Sequence, residues 1–348
     1  MNTPSVNATQ RRHILIIGPA WVGDMVMAQS LFKLIKIQDW QVVIDVLAPH
    51  WSLPLLKRMP EVNNTHVLPF SHGEFNLRAR WQLGRVLRKK NFDEAIVLPN
   101  SFKSALPVWV AKIPKRTGWR GEMRYGLLND LRILDKKRYG LMIERFMALA
   151  LPPNVALPRE YPLPELMISK EGQETVLQKY QLSLKQPILA LCPGAEFGPA
   201  KRWPAQYFAD VAKEKIAEGW QVWLLGSQKD QDVTKKIAAL TADQVYNLAG
   251  HTSLEEAVDL LSLATAVVSN DSGLMHIAAA LKKRLIVVYG PTSPHFTPPL
   301  HADAKILQQA LSCQPCFQRT CPLVHQKCMT ELPPNRVLGL LNEVRTCS

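Results

Sequence analysis

Residues 269–280 read Ser269-Asn270-Asp271-Ser272-Gly273-Leu274-Met275-His276-Ile277-Ala278-Ala279-Ala280. The apolar run just before them, Ala266-Val267-Val268, has the character of a buried strand. From Gly273 onward the small and apolar side chains read as a helix. Asp271 and Ser272 have N-cap chemistry, and Gly273 lets a ligand come close to the backbone. A strand, a tight polar turn and a helix N-terminus are the building unit of an α/β sheet. The first helical amides are unpaired and the helix dipole adds positive character, so such a turn suits a diphosphate. A capped helix with no ligand fits the same stretch, and the surrounding chain has to decide between the two.

Working outward, the unit repeats. In the second half, residues 187–192, 221–225, 245–248 and 285–289 read as strands. Helical spacing covers 205–218, 230–240 and 253–264. A Pro-rich loop occupies 291–299, and 333–344 reads as a terminal amphipathic helix entered through proline. The first half alternates in the same way. Strands are expected at 13–18, 42–48, 67–70 and 95–98, and helices at 25–37, 52–59, 77–90, 142–150 and, after the turn Pro99-Asn100-Ser101, through about Ala111. Five prolines between Leu151 and Pro164 stop both element types and mark a linker that runs to about Gln186, with a helix at 169–180 within it. The fold class is therefore α/β, with two doubly wound, Rossmann-like domains. Their ligand loops lie at the carboxyl ends of the strands, facing a central cleft. The expected domains are 1–165, 166–332 and a terminal helix at 333–348 that packs back on the N-terminal domain.

The 348 residues are enough for two cores, and no apolar run approaches the length of a membrane span. The apolar stretch after Arg11-Arg12 is too short for a signal peptide, so residues 1–10 read as a short leader of a cytoplasmic protein. The formal net charge is +13. From Arg78 to Arg138 there are 16 Lys and Arg against 5 Asp and Glu, leaving +11 in one stretch. Such a stretch attracts a nucleic acid, an anionic membrane surface or a phosphorylated substrate, and it also fits a plain solvated face. Cys313 and Cys316 start like a metal knuckle, but six residues separate Cys321 from Cys328. No metal is expected, and no stable disulfide.

Three turns carry the candidate chemistry. In residues 18–24, Asp24 stands at a helix start near a strand's carboxyl end. It reads either as an N-cap or as a carboxylate base, and the G-x-G-x-x-G spacing is absent. In residues 193–204, Gly194 and Gly198 free the backbone while Lys201 and Arg202 supply cations for a leaving diphosphate. The P-loop order is absent here. In the opening stretch, His276 follows Ser272 by one helical turn and shares its face. Ser227, Gln228 and Asn270 lie at further carboxyl ends, within reach of a ribose or base. Lys103, Arg116, Arg120 and Arg124 offer phosphate-binding groups in the basic stretch, with Trp119 and Tyr125 interleaved.

Together, Gly18-Pro19-x-Trp21-Val22-Gly23-Asp24-Met25, the run 193–204 and Asn270-Asp271-Ser272-Gly273-Leu274-Met275-His276 resemble the bacterial ADP-heptose:lipopolysaccharide heptosyltransferases, glycosyltransferase family 9. Residues 98–104 and 116–130 add to the match, which spans nearly the whole chain. The resemblance implies a GT-B fold and an inverting transfer from ADP-L-glycero-β-D-manno-heptose, with no cofactor, to the first heptose of the Kdo2-lipid A inner core. Asp24 then resembles the general base and Lys201 a catalytic contact to the donor diphosphate. Gly194, Ser227, Gln228, Asn270, Asp271, Ser272, Gly273, Leu274 and His276 resemble the donor site, although related enzymes carry Glu where this chain has Gln228. Trp21, Lys103, Arg116, Arg120 and Arg124 fall to the anionic acceptor. The implied protein works in the cytoplasm, peripherally at the inner face of the inner membrane, and binds no nucleic acid. Two other readings are another GT-B sugar transferase or nucleotide-sugar epimerase, and a non-catalytic nucleic-acid-binding protein using the basic stretch.

Overall fold

The computed structural model describes residues 11–69 and 74–343. The expected leader, Cys347 and the outer ends of the strand at 67–70 and of the terminal helix lie outside the described residues. Elements follow in the order β1 (His13–Ile17), α1 (Val22–Gln38), β2 (Val43–Pro49), α2 (Leu53–Lys57), β3 (Asn64–Leu68), α3 (Leu77–Arg88), β4 (Glu94–Val97), α4 (Phe102–Val110), β5 (Lys115–Trp119), β6 (Asp130–Arg132) and α5 (Met142–Met147). Then come α6 (Lys170–Lys179), β7 (Ile188–Cys192), α7 (Ala205–Ala217), β8 (Gln221–Leu224), α8 (Gln231–Leu240), β9 (Tyr246–Asn247), α9 (Leu254–Leu263), β10 (Ala266–Asn270), α10 (Gly273–Ala280), β11 (Arg284–Tyr289), β12 (Lys305–Gln308), α11 (Lys327–Thr330) and α12 (Pro334–Asn342).

The chain forms two compact units. One comprises Met1–Ala20, Ala28–Tyr139 and Ile143–Pro162; the other comprises Trp21–Met27, Gly140–Met142 and Leu163–Ser348. Each holds one parallel six-stranded sheet. The first runs β3-β2-β1-β4-β5-β6 and the second β12-β11-β10-β7-β8-β9. Counted from its own first strand, each sheet has the order 3-2-1-4-5-6, the doubly wound order of Rossmann folds. Register is set by near-continuous apolar strands. In the first sheet Leu15 lies beside Asp45 and beside Ala95. In the second, Ser269 lies beside Cys192, and Asn270 beside Val288. Ile14, Leu15 and Ile16 have no exposed surface, and burying each stabilises the fold by about 1.5–3 kcal/mol.

Each sheet packs its own core. Leu15, Ile17 and Val97 meet Leu106 and Val108 of α4 in the first unit. Leu191, Val222 and Val268 join Phe208 and Val211 of α7 in the second. The sequence places the terminal helix against the N-terminal domain; the structure instead builds it into the second unit. Val337 and Leu341 of α12 belong to the core with Phe208. Arg284 Nη2 donates to the carbonyls of Leu340 and Leu341 at 2.7 and 2.6 Å, and buried Lys215 donates to Asn342 Oδ1 at 2.6 Å. The apolar stripe of α12 finds its partner on α7, the nearest helix of its own sheet.

Candidate active site

The strand order decides where chemistry can gather. In the second sheet the chain reverses between β7 and β10, so the loops after these two strands lie side by side at the switch point. Asn270 ties them together. Its Oδ1 accepts from the Trp203 amide at 3.1 Å and its Nδ2 donates to the Pro193 carbonyl at 2.8 Å. Asn270 has no exposed surface. It is a buried brace, which corrects its reading as a ligand contact: both ends of its amide are already committed to the backbone.

That brace brings Lys201 onto Asp271. Lys201 Nζ donates to Asp271 Oδ2 at 2.6 Å and to the Asp271 carbonyl at 3.3 Å. Buried Thr292, in the loop after β11, donates its hydroxyl to the same Oδ2 at 2.6 Å. The Asp271 carboxylate therefore neither caps α10 nor stands free for a sugar hydroxyl; it holds Lys201. The Lys201 ammonium also lies 5.0 Å from the centre of the Phe197 ring, and Arg319 stacks on the same ring at 5.6 Å. Thr292 and Arg319 escape sequence reading because nothing in their local pattern names a partner so far along the chain, and Phe197, four residues before Lys201, carries no polar group to mark it. The one usable signal was Thr292 itself, a polar residue just past a strand's carboxyl end.

The start of α10 is open. Ser272 is the N-cap with extended backbone, yet its side chain makes no capping bond; its hydroxyl lies 3.2 Å from that of Ser269. Among the described residues no side chain accepts from the amides of Ser272, Gly273 or Leu274. Glycines let the first turn of α1 approach this end. A Cβ at Gly273 would lie 2.7 Å from Val22 Cβ, and one at Gly23 only 2.5 Å from His276 Cδ2. Neither position tolerates a side chain without displacement, so two helix N-termini converge here, each with a positive dipole end.

Of the two readings the sequence allows for Asp24, the N-cap falls away. The helix starts at Val22, which puts Asp24 inside its first turn. Among the described residues its carboxylate accepts no hydrogen bond. Burial pushes its pKa up to about 6, against the pull of the Lys201 cation. His276 is buried and its Nδ1 has no partner among the described residues. Burial pushes its pKa down to about 4, with Asp271 opposing and Lys201 reinforcing, so the imidazole is neutral at physiological pH. The result is a carboxylate with free lone pairs, a lysine fixed by a buried ion pair, a neutral histidine and an uncapped helix end.

The remaining expected residues divide. Ser227 is spent on Asp230, whose Oδ2 accepts from its amide at 2.9 Å and its hydroxyl at 2.8 Å. A Cβ at Gly194 would lie 2.4 Å from the Asp230 carboxyl carbon, so this glycine makes room for Asp230. Gln228 is exposed and bonds Gln231 at 3.0 Å. Leu274 is half-buried and Trp21 exposed. In the first unit, Arg116 gives Nε and Nη1 to the carbonyls of Leu127 and Ile113 at 2.8 and 2.5 Å. Arg124, 1% exposed, donates to the carbonyls of Pro99 and Trp119. Both arginines brace loops: Arg124 is buried, while Arg116 is half-buried. Arg120 is exposed and Lys103 half-exposed. Among the described residues no group of three or more His, Cys, Asp or Glu side chains is arranged to hold a metal ion, and the five described cysteines are free thiols.

Two Rossmann-order sheets in one chain, with a desolvated carboxylate, a fixed lysine and an open helix end in one cluster, fit a glycosyltransferase of the GT-B kind. Comparison with known proteins narrows the class. The model of glycosyltransferase family 9 (heptosyltransferase) matches residues 80–327, and the chain belongs to that family. It is 47% identical over 340 residues to lipopolysaccharide heptosyltransferase 2 of Salmonella typhimurium, covering 95% of this chain and 98% of that protein. It is 49% identical over 308 residues to lipooligosaccharide heptosyltransferase 2 of Haemophilus influenzae, covering 85% and 88%. The solved structure of Escherichia coli ADP-heptose lipopolysaccharide heptosyltransferase II superposes with a TM-score of 0.85 at 46% identity, covering 95% of this chain and 97% of that one.

Proposed function

We infer that this protein transfers L-glycero-D-manno-heptose from ADP-heptose to the first heptose of the Kdo2-lipid A inner core, with inversion at the anomeric carbon. The observation that carries the mechanism is Asp24: a desolvated carboxylate with a pKa of about 6, no hydrogen-bond partner among the described residues, and a lysine in its field. In this reading the acceptor hydroxyl gives its proton to Asp24 as its oxygen bonds the heptose anomeric carbon. The bond from that carbon to the diphosphate breaks, and ADP leaves with the electron pair. Lys201 and the amides of Ser272 and Gly273 meet the charge that develops on the leaving phosphate. Asp271 and Thr292 fix the ammonium for that task, and neutral His276, packed on Gly23, holds the first turn of α1 against α10.

The second unit then serves the donor, with Gln228 and the Ser227 turn near the ribose, and the first serves the acceptor through Lys103 and Arg120; Trp21 is a further acceptor contact. The reaction takes place at the cytoplasmic side of the inner membrane, where a lipid A acceptor is made. A thermal-shift panel of nucleotide sugars tests the donor. ADP-heptose and ADP should raise the melting temperature, while UDP- and GDP-sugars should not. A larger shift with a UDP-sugar would replace this reading with a different sugar transferase or an epimerase.

A further inference from the structure

Outside the site, the first unit carries one surface that the chemistry above does not use. Helix α3 turns Leu77, Trp81 and Val86 to solvent, with exposures of 52, 49 and 58%. Trp109, near the end of α4, is 40% exposed and meets Trp81 edge-on with ring centroids 6.1 Å apart. Burial of the opposite face explains α3's position but not these side chains. Leu83 and Leu87 point inward, and buried Arg80 locks the start of α3 by donating to the carbonyls of Phe75 and Lys103 at 2.8 and 3.0 Å. The platform is therefore firmly anchored while its outer aromatic and aliphatic groups stay in water.

Cations run along the middle of this exposed face: by helical spacing Arg78 and Arg85 lie between Leu77 and Trp81 on one side and Val86 on the other. Arg78, Arg85 and Arg88 on α3 are exposed, as are Lys89 and Lys90 just beyond it. None of them forms an ion pair with a described residue. From residue 77 to residue 92, and again from 99 to 112, the sequence contains no Asp or Glu. A helix with arginines along its length and Trp, Leu and Val exposed beside them has the composition of one lying in the plane of a membrane interface. Tryptophan prefers the headgroup level, where one edge is wet and the other apolar. Each basic residue near an anionic leaflet adds about 1 kcal/mol of attraction. A nucleic acid would use the arginines but has no place for Leu77 and Val86. Single-strand binding also favours aromatic rings set to stack on successive bases, whereas the Trp81 and Trp109 planes stand 66° to each other.

We propose that the outer face of α3, completed by Trp109, docks the protein on an anionic lipid bilayer, the aromatic pair entering the headgroup layer. This gives the peripheral location in the functional reading above a specific surface, and it rests on that reading only for the identity of the membrane. The test is co-sedimentation of the full chain with vesicles of phosphatidylethanolamine and phosphatidylglycerol, and with phosphatidylcholine vesicles as the neutral arm. The protein should pellet with the anionic vesicles and be released by salt. R78Q/R85Q/R88Q should weaken binding about a hundredfold, as the loss of three interfacial charges requires. R78K/R85K/R88K should keep it, which separates charge from folding. W81A/W109A should weaken binding to anionic vesicles and abolish the membrane-induced blue shift of tryptophan emission. Equal binding to neutral vesicles, wild-type binding by R78Q/R85Q/R88Q, or stronger binding to a DNA oligonucleotide than to anionic vesicles would each overturn the proposal. Heptose transfer to a lipid-free acceptor fragment, measured on the same samples, stays at the wild-type level in all three variants. Its absence in the wild type would count against the transferase reading and leave the docking result standing.

Discussion

Helices α4 and α10 occupy the same place in the two sheets. Each follows the fourth strand of a 3-2-1-4-5-6 order, and each starts from a serine N-cap, Ser101 or Ser272, with extended backbone and no side-chain capping bond. They differ in what meets the first amides. At α4 the Phe102 amide donates to Glu122 Oε2 at 2.8 Å, and the neighbouring Arg124 is spent on backbone carbonyls. At α10 the nearest carboxylate, Asp271, turns away to Lys201 and Thr292, and the amides stay open. Topology brings a helix dipole to a switch point in both sheets. Whether an anion can use it depends on whether the chain has already supplied one.

The largest expected effect tests the group facing the open end. Asp24→Asn removes the base but keeps the shape, and turnover should fall about 10²–10⁴-fold, the usual contribution of general-base catalysis, with ADP-heptose binding retained. In the wild type kcat/KM should fall tenfold per pH unit below about 6, where the Asp24 carboxylate takes up its proton; the variant should lose that limb. The sign for stability is opposite. Because burial raises the folded pKa above the unfolded value, the folded state gains protons first, and Asp24 costs increasing stability as pH rises from about 4 through 6. Asp24→Asn should therefore melt higher than the wild type at pH 7.5, by up to about 3 kcal/mol, and no higher at pH 3.5. A variant that melts lower at pH 7.5 would mean the carboxylate is not desolvated.

Next come the groups that keep the open end charged. Lys201→Ala should weaken ADP binding about 10–100-fold, the loss of a charge-assisted contact. Asp271→Asn leaves the lysine in place but unpaired in a largely buried site, and should cost about 3 kcal/mol of stability. Thr292→Val should cost about 1–2 kcal/mol and raise KM for the donor, because the carboxylate loses one of its two partners. Thr292→Ser should restore both. Calorimetric ADP titration and chemical denaturation of the four variants provide the check. An ADP affinity in Lys201→Ala equal to wild type would show that the open amides alone hold the diphosphate.

Much of this was legible in the chain. The apolar strands and the three glycine-bearing turns located the centre of both sheets, while β5, β6 and β12, short and carrying charged or polar residues, gave no strand signal; Asp24, Lys201 and the turn at 271–273 belong to one cluster. Their roles were harder to read. A sequence shows which residue types occur at a turn but not which partner each one meets. Asn270, Arg116 and Arg124 looked like ligand groups because their chemistry suits phosphate, and the fold uses that same chemistry to satisfy buried carbonyls and amides. Thr292 pairs with Asp271 from 21 positions away. The start of α1 at Val22 makes Asp24 a first-turn carboxylate, and there Val22 packs over Gly273 and His276 over Gly23. No local pattern encodes that contact.

The smallest effect isolates the comparison itself. If Glu122 is what closes α4, Glu122→Ala should free the Phe102 amide and cost about 0.3–1 kcal/mol, the value of a carboxylate at a helix N-terminus. It should leave ADP affinity and turnover unchanged, since the donor reading places nothing at α4. The loss should shrink in high salt, because charge at a helix end is screened. Adding an anion should then distinguish the two ends. Inorganic phosphate should stabilise the wild type through α10, and Glu122→Ala should gain a further increment from the newly opened α4. If phosphate stabilises both proteins equally, an exposed helix end is not enough to bind an anion in this fold. The fixed ammonium of Lys201 would then be the feature that makes α10 a site.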